Sequence, residues 1–234
     1  MKLAAIQHRP RENAILDAQA LVDASVAAAQ QGAEVVVLPD VASLQDDGRA
    51  AQLLLSALAN DLPGFPIMTS VDRALRGVAS VVALPERLVA PGSRFDKASI
   101  ITGDACIDAG ELARAAEGRP AIAVLHPGSE TDLQAEAMIE FAIALSDSLA
   151  GVVVVAECAG AEPLSPGHGG SAIVVLGSVV AEALVDDDVL LADVTLPFPQ
   201  PLPREPLPPV PPLLQQRFLH HTGQVAIEHG PDVS

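Results

Sequence analysis

The stretch GAEVVVLPD, residues 32–40, sets the reading of the whole chain. Apolar residues recur at helical spacing from about Asn13 to Gln31, and Gly32 suits the cap that ends such a helix. Glu34 to Leu38 is then β-branched and apolar, the mark of a buried strand, and Pro39 stops it. Asp40 leaves a carboxylate at the strand's exit. Helix followed by buried strand is the alternation of a layered α/β protein. The acid itself is either a functional group or a cap of the next turn.

Working outward, residues 2–6 form a short strand, and 48–60 and 66–76 have helical spacing on either side of the turn DLPGFP (61–66). Strands are expected at 79–84 and within 94–103, a short helix at 109–117, a strand at 121–125 and a long amphipathic helix at 130–148. Strands follow at 151–156, 172–176, 178–184 and 189–196. Strand and helix alternate through the first two thirds, and paired strands finish the core.

Half of the 234 residues are hydrophobic, so a large core is within reach, and it is aliphatic: there is no Trp or Tyr and there are five Phe. The net charge of −17 argues against nucleic acid and anionic membrane as partners. The opening MKLAAIQHRP lacks the apolar run of a signal peptide, and no run of about 18 apolar residues would cross a bilayer. A soluble cytoplasmic protein is the expectation. Cys106 and Cys158 do not make a disulfide framework. Cys158 and His168 lack metal-ligand spacing, so neither metal nor cofactor is expected. GHGGS (167–171) opens a strand rather than a helix, which separates it from phosphate loops. His126, at a strand end, reads as structural or as a neighbour of a pocket. Glu136, Glu140 and Asp147 read as the solvated face of the long helix, with Glu140 able to approach a pocket.

Composition changes at Pro197, where nine prolines fall between 197 and 212. PFPQPLPREPLPPVPP can neither pair in a sheet nor continue a helix, and forms an extended polyproline arm. A structural arm is favoured over a ligand for a proline-binding domain. Its apolar members need a neighbouring surface to lie on.

In their order, MKLAAIQ, Asn13, GAEVVVLPD, DLPGFP, VVALPER (81–87), GVVVVAECAGAEPLSPGHGGSAIVVLGSVVAEAL (151–184) and VLLADVTL (189–196) resemble the nitrilase (carbon–nitrogen hydrolase) superfamily. The resemblance covers residues 1–196. It implies one four-layer α-β-β-α sandwich over that span, with 197–234 as arm and tail, and a homodimer in which residues 197–220 of one subunit pack across the other. It also places GHGGS on the pocket side.

The resemblance further implies a Glu–Lys–Cys triad: a general base, a group that steadies developing charge, and a thiolate that attacks an amide or nitrile carbon. Asp40 stands where the Glu is expected and is one methylene shorter, which draws its carboxylate back by roughly 1.5 Å; a misplacement of about 1 Å can cost a hundredfold in rate. DACIDAGELAR (104–114) resembles the family's cysteine elbow, which would make Cys106 the nucleophile, with a Cys-to-Glu spacing two residues short of the family's. Alternatively, DACI is a hairpin turn and Cys106 an ordinary small residue. FDKASI would supply Lys97 as the charge stabiliser, yet Lys97 precedes Cys106 by only nine positions, where the family has a longer segment. A solvated surface charge is the other reading of Lys97. Two functions follow. One is a nitrilase-like protein with a degenerate or incomplete triad, kept as a non-catalytic subunit or ligand-binding member. The other is an active thiol amidohydrolase that cleaves a small amide or nitrile with Asp40, Lys97 and Cys106.

Overall fold

The protein is described by a computed structural model covering residues 1–40, 48–63, 65–69, 98–117, 120–160, 168–195 and 206–221. The chain starts with strand β1 (Lys2–Gln7) and helix α1 (Ala14–Gln30). Asn13 begins that helix because its side-chain oxygen accepts the Ile15 and Leu16 amides at 3.0 and 3.3 Å. Gly32, at φ +89°, ends it in a conformation that a side chain would resist. The chain then enters β2 (Val35–Val37), parallel to β1 with Leu3 opposite Val35. Helix α2 (Gly48–Asp61) leads to β3 (Ile67–Met68), parallel to β2. The helix expected at 66–76 is therefore a strand at its start. Ile67 and Met68 are buried and apolar, and the ladder beside β2 overrides their helical spacing. Residues 70–76 and the strand expected at 79–84 lie outside the described residues.

A second sheet follows. Strands β4 (Ala98–Thr102), β5 (Ile122–His126) and β6 (Val152–Val155) are parallel neighbours. Between β4 and β5 run a 3-10 helix (Gly103–Ile107) and α3 (Ala109–Glu117); α4 (Asp132–Leu149) joins β5 to β6. Strands β7 (Ala172–Val175) and β8 (Ser178–Glu182) add antiparallel edges. Leu176 and Gly177 turn this hairpin with φ of 48° and 76°, the geometry that matches the natural twist of paired strands. Strand β9 (Asp188–Asp193) returns to the first sheet, antiparallel to β1. The sheet orders are β3-β2-β1-β9 and β4-β5-β6-β7-β8.

Period-two alternation builds the layers. Leu3 and Ala5 face the second sheet, meeting Val124, Val152 and Val154, whereas Ala4 and Ile6 face α1 and α2. On the far side, Ala123, Leu125, Val153 and Val155 meet Met138, Phe141 and Leu145 of α4. Three apolar layers thus separate four layers of structure, the α-β-β-α sandwich anticipated from the sequence.

The arm departs from one expectation. Its described part, 206–211 followed by α5 (Pro212–His221), packs on its own chain. Val210 and Leu214 are buried in the layer that holds Ile107, Leu112 and Phe141. The apolar residues of a proline arm need a surface, and for Val210 and Leu214 the 3-10 helix and α4 supply it.

Candidate functional site

Parallel strands β1, β2, β5 and β6 run to a common end of the sandwich, and polar side chains collect where they exit. The exits of parallel strands are where α/β folds present ligands. At the exit of β1, Gln7 is buried between the sheets. Its amide nitrogen donates to the Leu184 and Asp186 carbonyls, each at 2.7 Å, and its oxygen accepts the Ser171 amide at 2.8 Å. His8, next along, points to the helix side and donates from Nε2 to the carboxylate of Asp17 in the first turn of α1. That carboxylate also accepts the Arg11 amide at 3.0 Å.

From β6, Glu157 is buried, and its carboxylate accepts the Ser129 amide at 3.0 Å and the Ser129 hydroxyl at 2.5 Å. Its own amide donates to Ser171 Oγ at 3.0 Å. Cys158 bridges His8 across the two sheets; the Ala159 amide donates to the His8 carbonyl at 2.9 Å. Gly169, at φ +79°, donates to the Cys158 carbonyl, and its Cα passes so close to Leu184 that a Cβ would stand 2.2 Å from that carbonyl oxygen. Only glycine fits there, and residues 168–171 form a clasp between the sheets, with the Ser171 amide held by Gln7 of β1.

Asp40 is half-buried at the exit of β2. The Cys158 thiol lies 3.7 Å from its carbonyl oxygen. Opposite, at the exit of β5, His126 shares inward parity with Ile122 and Val124 and is buried. Its Nε2 donates to the Leu38 carbonyl at 2.9 Å, joining the second sheet to the first. Burial pushes the His126 pKa down; the Asp40 carboxylate and the Leu38 carbonyl oppose that shift without cancelling it. The ring is neutral near pH 7.

The other residues singled out from sequence lie elsewhere. Cys106 is wholly buried in the 3-10 helix, within the helix-side layer of the second sheet. Its thiol donates to the Ile101 carbonyl at 3.2 Å. Ile101 faces that same layer, whereas Ile100 faces the first sheet. Cys106 and Asp40 are thus not brought to one face of the second sheet. Lys97 lies outside the described residues. Glu136, Glu140 and Asp147 are exposed on α4, as a solvated face requires. His168 meets Asp132 at 3.2 Å.

Sequence reasoning passed over Gln7, His8, Asp17, Ser129, Glu157 and Ser171. One signal was available: Glu157 follows the run VVVVA, and an acid that ends an apolar strand is either paired or functional.

No family model matches the chain, and no curated protein sequence is similar to it. Solved structures do match. A mutant of the amidase from Nesterenkonia sp. AN1, carrying the product of Michael addition of acrylamide at its active-site cysteine, superposes with a TM-score of 0.65 at 16% identity, over 83% of this chain and 93% of that one. A cysteine-to-serine mutant of that amidase, which is from the nitrilase superfamily, matches at 0.65 and 18% identity, over 83% and 92%. A cysteine-to-alanine mutant in complex with butyramide matches at 0.63 and 18%, over 83% and 90%. The chain has the fold of the nitrilase-superfamily amidases.

Proposed function

We propose that this protein binds a small amide or nitrile at the exits of β2 and β5 and does not hydrolyse it through Cys106. It is a nitrilase-fold protein whose triad is incomplete and which serves as a ligand-binding or non-catalytic subunit. One observation carries this reading. The Cys106 thiol is enclosed by apolar side chains, donates to a backbone carbonyl, and belongs to the helix-side layer, away from Asp40. Thiolate nucleophiles need an accessible, electropositive setting, and an apolar wall stabilises the thiol instead. The test is ammonia release from butyramide and butyronitrile, comparing the full chain with Cys106→Ala. The expected result is no release above buffer from either. Turnover by the full chain that vanishes in Cys106→Ala would overturn it.

That outcome would establish the second reading, an active thiol amidohydrolase with Asp40 as base, Lys97 as charge stabiliser and Cys106 as nucleophile. The amidase fold and the half-buried carboxylate at the β2 exit favour it. A homodimer belongs to either reading. Supporting it, Leu176, Val180, Leu184 and Val185 are 50%, 48%, 78% and 53% exposed around the β8 hairpin, more apolar surface than a lone subunit gains from showing. A cytoplasmic location is supported by the two cysteines being free thiols. Light scattering and cell fractionation test these two points.

A further inference from the structure

Strand β8 is a free edge of the second sheet: among the described residues its one ladder partner is β7. A free edge shows a row of unpaired backbone N–H and C=O groups, and folded proteins usually guard it with Lys, Pro, a well-placed charge or a cover. β8 reads Ser178-Val179-Val180-Ala181-Glu182, with no Lys, no Pro and its one charge in last place. Val179 and Val180 are both exposed, although successive side chains of a regular strand face opposite ways. A bulge is the cause. Val179 stands opposite Val174 and Ala181 opposite Ile173, which leaves Val180 with no opposite on β7. A bulge can blunt an edge, but this one adds an apolar side chain to it. The described part of the arm does not cover it, since Val210 and Leu214 are seated on the 3-10 helix and α4.

The sequence of this edge complements itself. Laid antiparallel on a second copy about a two-fold axis at Val180, Val180 faces Val180, Val179 faces Ala181, and Ser178 faces Glu182. Apolar meets apolar, and the one carboxylate meets a hydroxyl rather than its own copy, on a chain whose net charge is −17. Past the strand, Leu184 of one copy runs beside the turn that holds Leu176 of the other, so two exposed leucines of the hairpin cover each other. Moving the axis by one residue either way sets Glu182 against Val180 or beside Leu176, and the match is lost.

We infer that β8 is where a second copy of this chain docks, edge to edge and antiparallel about Val180, joining the two five-stranded sheets into one continuous sheet. The inference rests on the homodimer reading above and adds to it the surface and the register. Strand addition gains main-chain hydrogen bonds as well as apolar contact, and the alternate side chains fix the partner.

The experiment is self-crosslinking of the full chain carrying Val180→Cys. Directly opposite residues of an antiparallel pair have Cα atoms about 4.5–5.5 Å apart, within the span that a disulfide bridges. The two native thiols are buried and do not compete. Mild oxidation should give a covalent dimer on a non-reducing gel, and Ile15→Cys, similarly exposed but on α1, should not. In sedimentation, Val180→Asp should give a folded monomer, because two carboxylates then face each other. Ser178→Arg should tighten the dimer by roughly two- to fivefold per contact, since each new cation meets Glu182 of the partner subunit, and Ser178→Glu should loosen it. The crosslink carries the test should Val180→Asp fail to fold. A dimer without the crosslink, or one indifferent to both changes at Ser178, would overturn the inference and leave the homodimer reading standing. Equal crosslinking of Ile15→Cys would mark random collision and overturn it as well. A monomeric full chain would remove both.

Discussion

Replacing Leu214 by alanine tests whether the proline arm is part of the domain. Leu214 is 0% exposed and packs in the layer that contains Cys106, Ile107, Leu112 and Phe141. Removing a buried leucine to alanine costs about 2–5 kcal/mol, depending on how far the site collapses. Two features place this case toward the lower end. Leu214 is the one buried residue among the described side chains of α5, so the helix can shift toward the gap. It can also detach, and the loss cannot then exceed what docking of the arm contributes. That docking is chiefly burial of Leu214 and Val210, with Leu207 partly buried. Full burial of such side chains is worth about 1.5–3 kcal/mol each, as an upper estimate. We expect a loss of about 2–3 kcal/mol, read as a fall of roughly 1 M in the urea midpoint. Leu213→Ala is the control, since Leu213 is 37% exposed, and it should cost under about 1 kcal/mol. If Leu214→Ala leaves the midpoint unchanged, the arm does not hold this domain together, and a seat on a partner subunit becomes the better account.

Three further outcomes are expected. Iodoacetamide should label Cys106 only after unfolding, and Cys106→Ala should cost about 1–2 kcal/mol by opening a small cavity; labelling of the folded protein would contradict the enclosure described. Gly169→Ala should cost more than about 2 kcal/mol in chemical denaturation, because its φ of +79° and the Leu184 carbonyl leave no space for a Cβ. His126 binds its proton less readily folded than unfolded, where its value is near 6.5, so its contribution to stability is fully present above that pH and is lost as pH falls below it. The slope of wild type minus His126→Gln should reach at most about 1.4 kcal/mol per pH unit below pH 6.5, and parallel curves would refute the neutral buried ring.

Local signals were read well where one physical cause acted alone. The start of α1 near Asn13, Gly32 ending it and the valine run of β2 needed only helical spacing, glycine freedom and burial. The four-layer order came from the resemblance, and the period-two alternation of β1 and β5 is its physical cause. Ile67 and Met68 were misread because helical spacing in a short apolar run is ambiguous until a neighbouring strand offers a ladder. The polar network at the strand exits was harder still. Gln7 meets Ser171 and Leu184, more than 160 residues away, and nothing near Gln7 in sequence announces those partners. The arm failed for a related reason: its reach was legible, but the identity of the apolar surface within reach was not.

Sidedness separates the two functional readings more sharply than residue identity does. Each strand of a sandwich sends alternate side chains into different layers, so a residue's layer depends on parity as well as type. Asp40 and His126 meet near the inter-sheet exit because His126 shares the parity of Ile122 and Val124. Cys106 follows β4 through a tight 3-10 turn and joins Ile101 in the helix-side layer. A nucleophile must lie within about 3–3.5 Å of the carbon it attacks, and a base within hydrogen-bond reach of the proton it takes. A thiol behind a sheet meets neither requirement for a ligand held in front of it, however apt the residue type. The same exits nevertheless retain a carboxylate, a neutral imidazole lone pair and a glycine clasp between the sheets. On the proposed reading those are the parts that would hold a polar molecule, wherever the thiol lies.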